Sequence, residues 1–280
     1  MKLAQQFAIS YIRAKFKVLS AISKKKAAEK AFELFCTPQR RNKKPLPKVF
    51  EDAEKLHFRM DGIVLQGWRW NHPSEIKVLI SHGFESSATN FDRYVRLLIK
   101  KGYEVIAFDA PAHGRSGGKR INAPLYKKMI REIYKRYGPI RSFMAHSFGG
   151  LALCLALEEI SHTSEYRIAL IAPATETTSA INSFFSFLQL DESLRVEFEK
   201  IIIRQGGVSS AWYSIRRAMK HIRARVLWVH DEEDDTTPLS DALAVRNENY
   251  PNVDFVITKG LGHRKIYRDN KVTRSVVDFL

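Results

Sequence analysis

Ser147 stands in the run Ala145-His146-Ser147-Phe148-Gly149-Gly150. Small residues at 145, 149 and 150 let a chain turn sharply from a strand into a helix. Such a turn would lift the serine hydroxyl out of a sheet at a helix N-terminus. A serine hydroxyl is a weak nucleophile until a base takes its proton, and the base must be oriented by a third group. Two later segments offer those groups. Asp231-Glu232-Glu233-Asp234-Asp235 presents five carboxylates behind an apolar run, and Lys259-Gly260-Leu261-Gly262-His263 sets an imidazole in a glycine-bearing loop. Taken singly, these read as a solvated acidic turn and a structural histidine. Brought together, a serine, a carboxylate and an imidazole could do acyl-transfer chemistry.

The signals together resemble the α/β-hydrolase superfamily. Ala145 to Gly149 is similar to its nucleophile elbow, G-x-S-x-G, with Ala145 in place of the first glycine. His82-Gly83-Phe84, after the apolar run Lys77–Ser81, resembles the pair that ends the third strand. That resemblance implies that the backbone N–H groups of Phe84 and Phe148 form the oxyanion hole. Asp109-Ala110-Pro111-Ala112-His113-Gly114-Arg115-Ser116 resembles the loop D-x-P-x-H-G-x-S, which implies that Asp109 and His113 shape a loop and do no chemistry. The segment from Asp231 to Pro238 is similar to G-x-x-D-x-x-x-P, which puts the acid at Asp234, with Asp235 as the alternative. His263 matches the G-x-G-H before the last helix.

The resemblance spans about residues 50–280. It implies a triad of Ser147, His263 and Asp234 that cleaves carboxylic esters, lipid-derived esters and thioesters among them, through an acyl-enzyme. Neither cofactor nor metal is called for. A cofactor-free haloperoxidase or a C–C hydrolase would carry the same triad, whereas a haloalkane dehalogenase needs a carboxylate where Ser147 stands. Outside the enzymes, the alternative is a non-catalytic binding module of the same fold.

These residues need a scaffold, and the alternation of the chain predicts one. Glu54–Met60 and Ile63–Trp70 read as a hairpin around Asp61-Gly62, a type I′ turn sequence. Apolar strands follow at 77–81, 104–109, 141–146, 168–173, 225–230 and 253–258. Helices are predicted at 90–101, 125–137, 147–160, 239–248 and 264–280. Continuous apolar strands between helices indicate a mostly parallel sheet of about eight strands, covered on both faces, with the hairpin on one edge. Residues 175–222 are too long for a plain crossover and predict a helical cap. Its aromatics, Phe184, Phe185, Phe187 and Trp212-Tyr213 among them, suit a substrate with an apolar portion or equally hold the cap in place.

The division expected is a basic helical arm and linker over 1–46 and a hydrolase domain over 47–280. The net charge of +16 is concentrated in that arm. Residues 1–50 hold 13 Lys or Arg against Glu29 and Glu33, a net of +11, which leaves +5 for the rest. Leu3, Phe7, Ala14 and Val18 recur at helical spacing, with Ala8, Ile12 and Leu19 beside them. A helix packed on the body is the plainest reading, and peripheral docking on anionic membrane is the second. Nucleic-acid binding is disfavoured, because no stacking or groove-reading motif accompanies the charge. The uncharged stretch Leu3–Ile12 is too short to span a bilayer, and a signal peptide is not expected because Arg13, Lys15 and Lys17 interrupt the apolar run and no small-residue cleavage site follows. Two cysteines, Cys36 and Cys154, form no disulfide framework, so a cytoplasmic setting is expected.

Overall fold

In a computed structural model, residues 3–41 and 45–280 are described, apart from the side chains of residues 3–5. The helices are α1 Leu3–Ile22, α2 Lys24–Phe35, α3 Lys48–Glu51, α4 Asp92–Lys100, α5 Ala123–Tyr137, α6 Phe148–Leu157, α7 Thr177–Leu188, α8 Arg195–Gly206, α9 Ile215–Ala218, α10 Leu239–Arg246, α11 Gly262–Lys265 and α12 Asn270–Phe279. The strands are β1 Glu54–Met60, β2 Ile63–Trp70, β3 Lys77–Ser81, β4 Glu104–Phe108, β5 Ser142–His146, β6 Arg167–Ile171, β7 Arg225–Asp231 and β8 Val253–Thr258. Two compact units result, one of residues up to Thr37 with 176–213, the other of 38–175 with 214–280.

The larger unit is one eight-stranded sheet in the order β1-β2-β4-β3-β5-β6-β7-β8. β1 and β2 are antiparallel, turning through Asp61 and Gly62, both at positive φ as a type I′ turn requires. β2 meets β4 antiparallel, and every later pairing is parallel. Alternate residues of the parallel strands, Val78 and Ile80, Val105 and Ala107, Ala169 and Ile171, Leu227 and Val229, join Phe91, Tyr94 and Val276 in one core layer. α6 is apolar all round and wholly buried from Gly149 to Leu157, as a helix against the sheet centre must be. The predicted final helix is interrupted. Asp269 caps a new start, its carboxylate accepting from the N–H groups of Lys271 and Val272.

The predicted linker is pinned where it is described, since the Arg41 guanidinium donates to the carbonyls of Ala112 and Gly118, 2.7 Å each. Residues 42–44 of that stretch lie outside the described residues. Residues 214–222, read from the sequence as the end of the cap, lie in the larger unit, where the Ile215 N–H donates to Thr175.

The smaller unit is built from α1, α2, α7 and α8. Ala27, Ala28 and Ala31 are fully buried, which lets α2 approach closely. Phe32 and Phe35 meet Phe198 edge-on, at 5.4 and 5.8 Å between ring centroids, and Phe184 packs on Phe35 at 5.2 Å. In α1 the structure corrects the expected orientation. The side turned inward carries Ile9, Ile12, Phe16 and Leu19, while Phe7 and Val18 of the predicted stripe stand in solvent. The Leu3 side chain lies outside the described residues. α1 is apolar on two sides, so periodicity alone could not choose the packed one.

Candidate active site

Ser147 follows the last residue of β5 and precedes α6 with φ +54° and ψ −126°. Positive φ is costly for a residue with a side chain and persists only where neighbours over-determine it. Here the Ser147 N–H donates to Ile171 O at 3.1 Å, and Ser147 O accepts from the N–H groups of Gly150 and Ala174 at 2.8 and 3.0 Å. The tightness behind the turn explains Gly149. A Cβ there would stand 2.6 Å from the carbonyl oxygens of both Ser81 and His82.

The structure brings Ser147, His263 and Asp234 into one line. Ser147 Oγ lies 3.0 Å from His263 Nε2, and His263 Nδ1 lies 2.9 Å from Asp234 Oδ2. All three side chains are buried. Asp235, the alternative acid, instead accepts from the Thr236 hydroxyl on the exposed side of the turn. Burial pushes the Asp234 carboxyl up. The hydrogen bond and charge of His263, with the N–H groups of Thr237 and Thr236, outweigh it and hold the group at about 2. The carboxylate is therefore ionised at neutral pH and can fix the imidazole with Nδ1 protonated and Nε2 free to accept.

The rings of Phe84 and Phe148 come together with their centroids 6.2 Å apart. Phe148 is the first residue of α6, so its N–H has no intrahelical acceptor. The Gly83 carbonyl accepts from His82 Nδ1 at 2.7 Å, and the Ala110 N–H donates to His82 Nε2 at 2.9 Å. In a trans peptide the N–H points opposite to the C=O, so this clamp also sets the direction of the Phe84 N–H. His113 Nε2 accepts from the Glu85 N–H, and Asp109 accepts from the N–H groups of Ala88 and Arg115. These two residues thus hold loops. Burial lowers the pKa of His82 to about 4 and that of His113 to about 3, so both stay neutral and can accept these N–H bonds.

Four supporting residues escaped the sequence reading. The Thr237 hydroxyl donates to Asp234 Oδ2 at 2.8 Å and lies 3.2 Å from His263 Nδ1. His230 Nε2 donates to Thr237 O at 2.9 Å, anchoring that turn. Asp231, where the resemblance has glycine, accepts from Thr258 Oγ1, the Leu261 N–H and the Gly262 N–H, tying β7 to the loop that carries His263. His146 Nε2 donates to His263 O at 3.1 Å, with its ring 4.8 Å from that of His263. Only Thr237 carried a signal, as a hydroxyl beside the Pro238 that closes the acidic motif.

A family model described as serine aminopeptidase, S33, matches residues 72–197. An uncharacterized protein of Bacillus subtilis, YqkD, is 23% identical over 246 residues, 82% of this chain and 81% of that protein. The solved structure of an esterase from Pyrococcus furiosus superposes with a TM-score of 0.64 at 21% identity, covering 88% of this chain and 97% of its own. A monoacylglycerol lipase from Paleococcus ferrophilus gives 0.61 at 21% identity, over 76% and 97%.

Proposed function

Because this chain is an α/β hydrolase by fold, we propose that it is a serine hydrolase of carboxylic esters, with Ser147 as nucleophile, His263 as general base and acid, and Asp234 as orienting acid. The observation that carries the reading is the unbroken contact from Ser147 Oγ to His263 Nε2 and from His263 Nδ1 to Asp234. The esterase and lipase names of the similar structures agree with it.

Ser147 Oγ attacks the ester carbonyl carbon while its proton passes to His263 Nε2. The imidazolium is stabilised by the Asp234 carboxylate, already ionised. Negative charge moves to the carbonyl oxygen, where the N–H groups of Phe84 and Phe148 are the proposed donors. The C–O bond then breaks, and the alcohol leaves with the proton from Nε2. Water, deprotonated by the same nitrogen, attacks the acyl-enzyme, and the acid departs as Ser147 regains its proton. The net change is ester plus water to acid plus alcohol.

Hydrolysis of p-nitrophenyl esters of increasing acyl length, with wild type beside Ser147→Ala, tests this. The variant should lose roughly 10⁴-fold or more in kcat, and a fluorophosphonate should label the wild type at Ser147 alone. An inert wild type that the probe also fails to label would leave a binding module of the same fold.

A further inference from the structure

The smaller unit carries an apolar helix face that packs on nothing described. Phe7, Tyr11, Val18 and Ile22 of α1 are 73%, 69%, 61% and 75% exposed. Ala14 and Ala21 are exposed between them. At 100° per residue these six fall within about 100° of arc, on the side opposite the buried Phe16. The face runs most of the length of a helix about 30 Å long. Lys15 and Lys17 lie about 80° to either side of Phe7, and Lys24, Lys25 and Lys26 follow at the next turn. All five lysines are exposed, and none makes a salt bridge among the described residues, although Asp191 lies in the field of Lys24 and Glu197 in that of Lys25. No acidic residue precedes Glu29.

An apolar stripe bordered on both sides by lysine, with no carboxylate on its own helix, matches an interface that is apolar within and anionic at its surface. We propose that α1 docks flat on an anionic lipid membrane, its Phe7-Tyr11-Val18-Ile22 face among the acyl chains and Lys15, Lys17 and Lys24–Lys26 against the headgroups. No helix among the described residues is long and apolar enough to cross a bilayer, so the contact is peripheral. Other occupants fit less well. A second copy would bring Lys15 and Lys17 against their own kind, and a nucleic acid has no use for six apolar side chains in a row. The proposal is independent of the ester-hydrolase reading.

The test sediments the full chain with vesicles of phosphatidylcholine alone, and of phosphatidylcholine with about one quarter phosphatidylserine, at about 0.1 M salt. The wild type should co-sediment with the anionic vesicles only. Lys15→Glu with Lys17→Glu should weaken that partitioning at least ten-fold, neutralising one lysine costing about five-fold. Phe7→Ser, Tyr11→Ser and Val18→Ser combined should also weaken it at least ten-fold. Because these side chains are exposed, thermal unfolding should not shift in either variant.

A wild type that stays in the supernatant overturns the proposal, as does equal binding to both vesicle types. Binding that survives either set of substitutions does the same. Binding to a duplex oligonucleotide that exceeds vesicle binding and outlasts loss of the apolar residues would make this a nucleic-acid surface. A dimer in sedimentation equilibrium that the apolar variant dissolves would make the occupant a second copy.

Discussion

Asp234 spends both oxygens on different partners, and that division makes it testable apart from its acidic neighbours. Oδ1 accepts from the N–H groups of Thr236 and Thr237, while Oδ2 takes the Thr237 hydroxyl and His263. Asp234→Asn places an amide against these donors and removes the charge that favours the working tautomer. Its kcat should fall about 10⁴-fold, whereas Asp235→Asn should leave ester hydrolysis unchanged. Thr237→Val, which strips one hydrogen bond from the carboxylate, should lower kcat about ten-fold or more with little change in KM. The depressed pKa has a thermodynamic counterpart. A carboxyl at about 2 in the folded chain contributes stability that is complete above the ordinary carboxylate range and lost as pH falls towards 2. That contribution is about 2 kcal/mol. Denaturant unfolding of wild type and Asp234→Asn should converge between pH 5 and pH 2; a gap that stays constant would refute the linkage.

The serine turn depends on α6 pressing its first residues onto the ends of β3 and β5. Gly149→Ala forces a methyl group into the carbonyls of Ser81 and His82. It should cost about 1–3 kcal/mol in unfolding measurements and reduce fluorophosphonate labelling as the turn shifts. The strands and this turn were legible in the sequence because continuous apolar runs such as Val78 to Ile80 and Phe143 to Ala145, bounded by turn residues and helices, fit the middle of a covered sheet. The chain order of serine, acid and histidine was legible through the resemblance of the three loops that carry them, each following a predicted strand. The Asp231 bridge and the His146 contact were not, since both join residues 27 or more apart whose meeting depends on strand order. The packed face of α1 was hidden by a helix apolar on two sides. The break before Asn270 was hidden because Ile266 and Tyr267 continue the apolar period that Val272 and Val276 resume.

Joining the arm to the 176–213 segment in one unit has consequences for the chain as a whole. Deleting residues 1–35 would uncover Phe184 and Phe198, which lose Phe32 and Phe35 as partners. The truncated protein should bind 8-anilinonaphthalene-1-sulfonate more strongly than the full chain and unfold at a lower temperature. A truncation that matches wild type in both would mean that these ring contacts contribute nothing. The unit is also discontinuous, its two parts separated by residues 38–175. At ribosomal rates of about 5–20 residues per second, α1 and α2 leave the ribosome roughly 9 to 34 seconds before α7 and α8 are complete to receive them. Throughout that interval Phe32 and Phe35 lack their ring partners Phe198 and Phe184.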